Sequence, residues 1–207
     1  MAKPKYETRP VVLTRKPRHI RKLRRILIVC EGEKTEPNYF KSFPSNPIVY
    51  DTIEVTGIGN NTVFVVNEAI RLRNKALKDG EPYIEVWAVF DKDDFPVSDF
   101  EKAVQLAMEN HIKYAYSIES FELWYLLHFN YYDTGMSRSV YIEKLSSLLG
   151  KTYRKNDVTM YKTLSRKMHT ALKNASTLYT RQCCKPIAEQ NPVTLVFLLV
   201  QKLAGSV

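Results

Sequence analysis

Residues 25–30 read Arg25-Ile26-Leu27-Ile28-Val29-Cys30, an apolar run rich in β-branched side chains. A short continuous run of this kind is typical of a strand that is buried on both faces of a parallel sheet. The run ends abruptly at Glu31, the first of several acids. Thr35 then begins a short predicted helix with Glu36 and Pro37 in its first turn, where acids and proline are favoured.

The same alternation of strand and helix recurs along the first 118 residues. Further strands are predicted at 52–59, 84–90 and 112–118, where apolar and β-branched residues recur. Asn60 and Asn61 are predicted to cap one helix that Gly80 ends, and a capping box at 98–101 begins another that runs to Asn110. The pattern predicts an α/β fold with a mostly parallel four-stranded sheet, right-handed crossovers and flanking helices.

The chain changes character after about residue 119, because the strand pattern stops. Helices are predicted at 121–129, 137–149, 159–179 and 192–203. We therefore divide the chain into a basic flexible arm at 1–24, an α/β domain at 25–130 and a helical extension packed on it at 131–207.

Positive charge is concentrated at the start of the chain. Residues 1–25 hold ten of the 31 basic residues and only one of the 22 acidic ones, so they carry the whole net charge of +9. A basic arm on a neutral body favours binding to a polyanion, although a solvated tail is the alternative. A second basic stripe, accompanied by His169, runs along the predicted 159–179 helix and has the same two interpretations. The predicted nucleic-acid-binding residues are Arg21, Lys22, Arg24, Arg25, Lys162, Arg166 and Lys173.

Composition excludes several classes of protein. No apolar run approaches the roughly 18 residues that a transmembrane helix needs, and no secretory signal is visible, so we expect a cytoplasmic protein with no membrane partner. The three cysteines, Cys30, Cys183 and Cys184, form no disulfide or zinc pattern.

Two acidic clusters follow two of the predicted strands: Glu31-Gly32-Glu33-Lys34-Thr35-Glu36 and Asp91-Lys92-Asp93-Asp94. Parallel strands end at the same edge of a sheet, where ligands of α/β proteins bind. If the two strands are neighbours, Glu31, Asp91 and Asp93 converge and repel one another unless a cation neutralises them. Oxygen ligands favour Mg²⁺ or Mn²⁺. The alternative is that these acids only cap strand ends and helix starts.

The spacing of these acids resembles that of a Toprim domain, the metal-binding module of topoisomerases, primases and OLD-family nucleases. Closer still, four segments resemble the RloB or AbiLii family, although residues 117–120 depart from its usual turn. These segments are Cys-Glu-Gly-Glu-Lys-Thr-Glu-Pro-Asn-Tyr-Phe (30–40), Phe-Asp-Lys-Asp-Asp-Phe (90–95), Ser-Phe-Glu-Leu-Trp-Tyr-Leu-Leu-His-Phe (120–129) and Asn-Pro-Val-Thr (191–194).

The resemblance implies a bacterial phage-defence effector of the abortive-infection kind, encoded beside an ATPase partner. It also implies a Toprim nuclease that uses Mg²⁺. A distant likeness to the nuclease of the PARIS system favours RNA, tRNA in particular, as the nucleic acid. The alternative is a non-catalytic interaction module that an ATPase partner regulates or that regulates the ATPase. The choice between RNA and DNA, and a homo-oligomeric state, stay open.

Individual roles follow for the acids. Asp91 and Asp93 are assigned to metal binding, and Asp94 supports them. Glu31 is a metal ligand or a general base, since like charges raise the pKa of a carboxyl. Glu122, one turn into the helix after the fourth strand, is a candidate additional carboxylate.

Other residues have weaker signals. Lys34 either contacts phosphate or balances the acids, and Glu33 and Glu36 are interpreted as acids of a helix start. His128 shares a helical face with large aromatic residues, which favours a core histidine over a catalytic one. The turn at 57–60 can in principle cradle phosphate, but an ordinary turn is favoured.

Overall fold

The computed structural model describes residues 23–59, 61–92 and 96–205. Its centre is a five-stranded sheet with the order β2-β1-β3-β4-β5. The strands are β1 (Arg25–Cys30), β2 (Thr52–Gly57), β3 (Glu85–Asp91), β4 (Lys113–Ile118) and β5 (Val193–Thr194). The first four are parallel, and β5 pairs antiparallel with β4. The predicted α/β class is confirmed, and β1 and β3 are neighbours.

Helices flank this sheet. They are α1 (Thr35–Lys41), α2 (Thr62–Lys78), α3 (Val97–Glu109), α4 (Glu122–Leu126), α5 (Arg138–Leu149), α6 (Met160–Leu164), α7 (Met168–Gln182) and α8 (Val196–Ala204), with 3₁₀ turns at Ser165–Lys167 and Ile187–Glu189. The α2 and α3 helices pack against each other and on the sheet, whereas α7 and α8 contact its β4 and β5 side. No helix in the described part of the chain is long and apolar enough to cross a membrane.

The β1 strand is buried on both faces, as its apolar run predicts. Ile26 through Cys30 are all at most 3% exposed. Each residue of β1 has a parallel partner on β2, and Ile26 to Cys30 also have partners on β3. The strand therefore lies inside the sheet, with neighbours on both edges.

Three local predictions were wrong. The 192–203 segment begins as β5, because Thr194 and Val193 pair with Ser117 and Ile118 before α8 starts. The 159–179 helix is interrupted by the 3₁₀ turn at Ser165–Lys167, where the Ser165 hydroxyl donates to the Lys162 carbonyl. The predicted capping box at 98–101 does not form, because α3 already begins at Val97 and has no side-chain cap.

Candidate active site

A cavity of about 500 Å³ opens at the carboxyl ends of β1 and β3. Five carboxylates line it, and they come from the end of β3 and from the loops and helices that follow β1 and β4. The residues that line the cavity are Glu31, Gly32, Glu33, Lys34, Thr35, Glu36, Asp91, Phe121, Glu122, Arg138, Lys155 and Asn156. The edge at which the sequence places the acids is therefore a concave site.

Glu31 and Asp91 tie the ends of three strands together. The Asp91 backbone N–H donates to Glu31 Oε2 at 2.9 Å, and the Phe121 N–H donates to Asp91 Oδ2 at 3.1 Å. The other oxygen, Asp91 Oδ1, is buried and accepts no hydrogen bond from the described residues. A buried carboxylate oxygen without a donor is costly, so it is the atom in this site that most needs a cation or a proton.

Glu36 lies in the first turn of α1, as predicted, and it also lines the cavity. Its side chain is only 5% exposed. Burial raises the pKa of Glu36, and the nearby charge of Glu122 raises it further. The sequence does carry a signal, because Glu36, Tyr39, Phe40 and Phe43 have the i, i+3, i+4, i+7 spacing of one helical face.

Glu122 is brought to the same cavity and is 2% exposed. Both of its oxygens accept hydrogen bonds: Oε2 from the Ser120 hydroxyl at 2.7 Å and Oε1 from the Tyr153 hydroxyl at 3.1 Å. Tyr153 lies in the segment predicted to be only a packed extension, so that segment completes the site. No spacing in the sequence links Tyr153 to Glu122.

These carboxylates act on one another electrostatically. Burial raises the pKa of Asp91 well above its ordinary value, and the charges of Glu36, Glu122 and Glu31 add to the shift. Such a set of oxygen-only, mutually repelling groups fits a hard divalent cation chemically. Within the described ranges, however, no three Asp, Glu, His or Cys side chains are already arranged to hold a metal ion. Asp93 and Asp94 lie outside the described residues.

Glycines let the surrounding loops come close. A Cβ on Gly32 would collide with the Glu36 carboxylate, and one on Gly57 would collide with the Gly32 carbonyl. The N–H groups of Ile58 and Gly59 donate to the carbonyls of Cys30 and Glu31. The turn at 57–59 is therefore a packing turn against the acidic loop, as favoured from the sequence, and these two N–H groups do not face a phosphate.

His128 is a core histidine. It is 1% exposed, stacks edge-on against Trp124 at 4.8 Å between ring centroids, and its Nδ1 lies 2.9 Å from the Trp124 carbonyl oxygen. Burial lowers the pKa of His128 to about 4. It does not line the acidic cavity.

The predicted nucleic-acid-binding residues fall into three groups. Arg24 and Arg25 lie at the opposite end of β1, where Arg24 binds the Ile48 carbonyl and Arg25 binds Glu54. These guanidinium groups thus have structural contacts within the protein, and their binding to nucleic acid stays a prediction. Lys162, Arg166 and Lys173 are exposed, and their binding to nucleic acid stays a prediction. Arg21 and Lys22 lie outside the described residues.

The fold and site together define an α/β protein with an acidic cavity at the carboxyl ends of its parallel strands. The family model described as RloB-like protein matches residues 26–203. The chain therefore belongs to the RloB-like family, as its sequence motifs indicate. The comparison with curated proteins gave no match.

Proposed function

We propose that this chain is a Mg²⁺-dependent nuclease of the Toprim type, with RNA as the favoured substrate. It would act in the cytoplasm as the effector of an anti-phage abortive-infection system with an ATPase partner. The observation that carries the proposal is the convergence of Glu31, Asp91, Glu36 and Glu122 on one cavity, with Asp91 Oδ1 buried and unpartnered among the described residues.

Each carboxylate has a distinct role in this proposal. Asp91 binds the metal through its unpartnered oxygen, and Asp93, which the sequence places two residues later, contributes a second oxygen. Glu31 orients the Asp91 backbone through its Oε2, and its carboxylate either binds the metal or accepts a proton from water. When bound, Mg²⁺ would neutralise the scissile phosphate and lower the pKa of water.

The test uses the purified full chain with total RNA, plasmid and single-stranded DNA, with and without Mg²⁺ or Mn²⁺. We expect metal-dependent cleavage that Asp91→Asn abolishes. Asp79→Asn is the matched control, because Asp79 is exposed just after α2 and lies outside the cavity. Cleavage that persists in Asp91→Asn would refute the assignment.

Metal binding is tested separately from cleavage. Mg²⁺ or Mn²⁺ should raise the melting temperature of the wild type, since a ligand that binds only the folded state stabilises it. Glu31→Gln should reduce this shift, and zinc should not be required. A shift that is unchanged when Glu31 and Asp91 are both substituted would place the metal elsewhere.

A specific observation favours a second candidate, a non-catalytic interaction module that works with the ATPase partner. Both oxygens of Glu122, Oε2 of Glu31 and Oδ2 of Asp91 already accept hydrogen bonds from the protein. Carboxylates held in this way can simply bind the loops together. Capture of the ATPase by both the wild type and Asp91→Asn, without cleavage by either, would support this candidate.

A further inference from the structure

The acidic cavity has a second wall that is basic. Arg138, at the start of α5, and Lys155, in the loop between α5 and α6, line the same cavity as the carboxylates. Both residues belong to the segment after residue 131. The acids and the cations of the cavity therefore come from two different parts of the chain.

The loop that carries Lys155 is held in place by α1. The Thr35 hydroxyl donates to the Lys155 carbonyl, and the Asn38 side chain donates to the Asn156 carbonyl at 3.4 Å. On its far side, Asp157 pairs with Lys151 at 2.9 Å. These contacts fix the backbone of Lys155 beside the helix whose first turn contains Glu36.

The ammonium group of Lys155 is close to the acids without being paired with one. Its positive charge is among the influences that lower the pKa of Glu36. The side chain is nevertheless exposed, and within the described ranges it forms no ion pair. A lysine whose role was to neutralise Glu36 would lie within ion-pair distance of it, so this charge is available at the mouth of the cavity.

A polyanion that enters this cavity meets several carboxylates and is repelled unless a cation holds it. We propose that Lys155, together with Arg138, binds the backbone phosphate of a nucleic acid strand and holds that strand against the carboxylates. The inference rests on the proposed function and deepens it, because it makes the α5–α6 segment the substrate-binding part of the same site. Lys155 is then a substrate-binding residue, and the chemistry remains with the carboxylates.

The test measures binding apart from cleavage. Fluorescein-labelled single-stranded RNA and DNA are titrated with the full chain in Ca²⁺, followed by anisotropy at several salt concentrations. Lys155→Gln removes one charge-assisted phosphate contact and should weaken binding about tenfold. It should also lower the slope of log affinity against log salt concentration by about one. Arg138→Gln should act in the same direction, and Lys155→Arg should restore most of the affinity.

Lys78→Gln is the matched control. Lys78 is an exposed lysine at the end of α2, outside the cavity, and its substitution removes the same charge. Equal losses in Lys78→Gln and Lys155→Gln would mean that only net charge matters, and would overturn the inference. Thermal melts establish that each variant is folded. If Arg138→Gln does not fold, Lys155→Gln alone tests the inference, because Lys155 is exposed.

The remaining outcomes separate this inference from the proposed function. Unchanged affinity of Lys155→Gln, in a wild type that binds and cleaves, would refute the phosphate contact alone. Weakened affinity of Lys155→Gln, in a wild type that binds but never cleaves with Mg²⁺ or Mn²⁺, would support the contact and refute the nuclease. A wild type that binds neither probe at low salt would overturn both.

Discussion

Asp91 is a buried carboxyl group whose pKa is raised by burial and by Glu36, Glu122 and Glu31. Its folded state therefore binds a proton more tightly than its unfolded state, whose pKa is near 3.8. The stability that this proton provides is present at low pH and is lost as the pH rises through the folded pKa. Without metal, Asp91→Asn should thus be as stable as the wild type or more stable at neutral and alkaline pH.

Asparagine suits this test because its amide oxygen can still accept from the Phe121 N–H. Denaturant unfolding across the pH range measures the effect, and Asp79→Asn serves again as the control. A marked loss of stability in metal-free Asp91→Asn at neutral pH would mean that the charged carboxylate is a structural group and not a metal ligand.

His128 should have the opposite pH dependence. Its folded pKa of about 4 lies below the ordinary 6.5, so its contribution to stability is complete above 6.5 and is lost as the pH falls towards 4. The loss is on the order of 3 kcal/mol, since one pKa unit corresponds to about 1.4 kcal/mol. His128→Asn keeps a donor for the Trp124 carbonyl and should flatten this part of the curve.

Denaturant unfolding of the wild type and of His128→Asn over that pH range measures the effect as a difference in unfolding free energy. The variant should be less stable at neutral pH, because it leaves part of the ring volume empty. Its rate of cleavage should be unchanged once the folded fraction is equal. A specific loss of cleavage in a folded variant would restore the catalytic interpretation of His128.

The sequence predicts some site residues well because their signal is local. Glu31 directly follows β1 and Asp91 is the last residue of β3, and parallel strands bring such positions to one edge. Glu36 has a local signal too, in its helical spacing with Tyr39 and Phe40, but its place in a first turn suggested a more ordinary role. Tyr153 has none, because its contact with Glu122 spans 31 residues and depends on how the extension packs.

Glu122 lies in the short helix α4, and a hydrogen bond from Tyr153, in the loop before α6, holds its side chain in position. Tyr153→Phe removes the donor to Glu122 Oε1 and leaves a buried carboxylate oxygen without it. We expect a loss of about 1–3 kcal/mol in unfolding free energy and a lower rate of cleavage. Chemical denaturation and the cleavage assay measure the two effects.

Tyr161→Phe is the matched control for this variant. The Tyr161 ring packs against Phe43 at 4.6 Å between centroids, and its hydroxyl has no hydrogen bond within the described part of the chain. Its substitution should change stability by only ~0.5 kcal/mol. If both variants lose the same stability, the Tyr153 hydroxyl does not support Glu122.

Long elements are predictable and short ones are not, for physical reasons. The β1 and β3 strands are evident because each buries an apolar run on its own. The β5 strand has two residues, and it exists because β4 offers an unpaired edge, which no local pattern reveals. The break at Ser165–Lys167 likewise interrupts a segment whose apolar spacing is continuous across it.

For the whole molecule, charge separates the first 24 residues from the remainder. Most of this basic segment lies outside the described residues, so its role rests on the sequence. Deleting residues 1–24 should weaken nucleic acid binding for all sequences and lower the salt slope, because fewer phosphates are neutralised. The metal-induced shift in melting temperature should not change. Anisotropy titrations and thermal melts measure both.

The competing use of the arm is docking to a partner protein. A truncated chain with unchanged affinity and salt slope that no longer captures the co-expressed ATPase would assign the arm to that interface. Binding that is weakened equally at low and high salt would also contradict the electrostatic explanation.

The antiparallel pairing of β5 with β4 joins residues 117–118 to residues 193–194. Protein synthesis delivers β4 first, and the outer edge of β4 has no strand partner until residue 194 has left the ribosome. Tyr153 likewise reaches Glu122 only after the segment up to α6 has emerged. Translation order thus delays completion of the fold. A ribosome that stalls between β4 and β5 holds a nascent chain in which the four carboxylates Glu31, Glu36, Asp91 and Glu122 are synthesised but not yet enclosed.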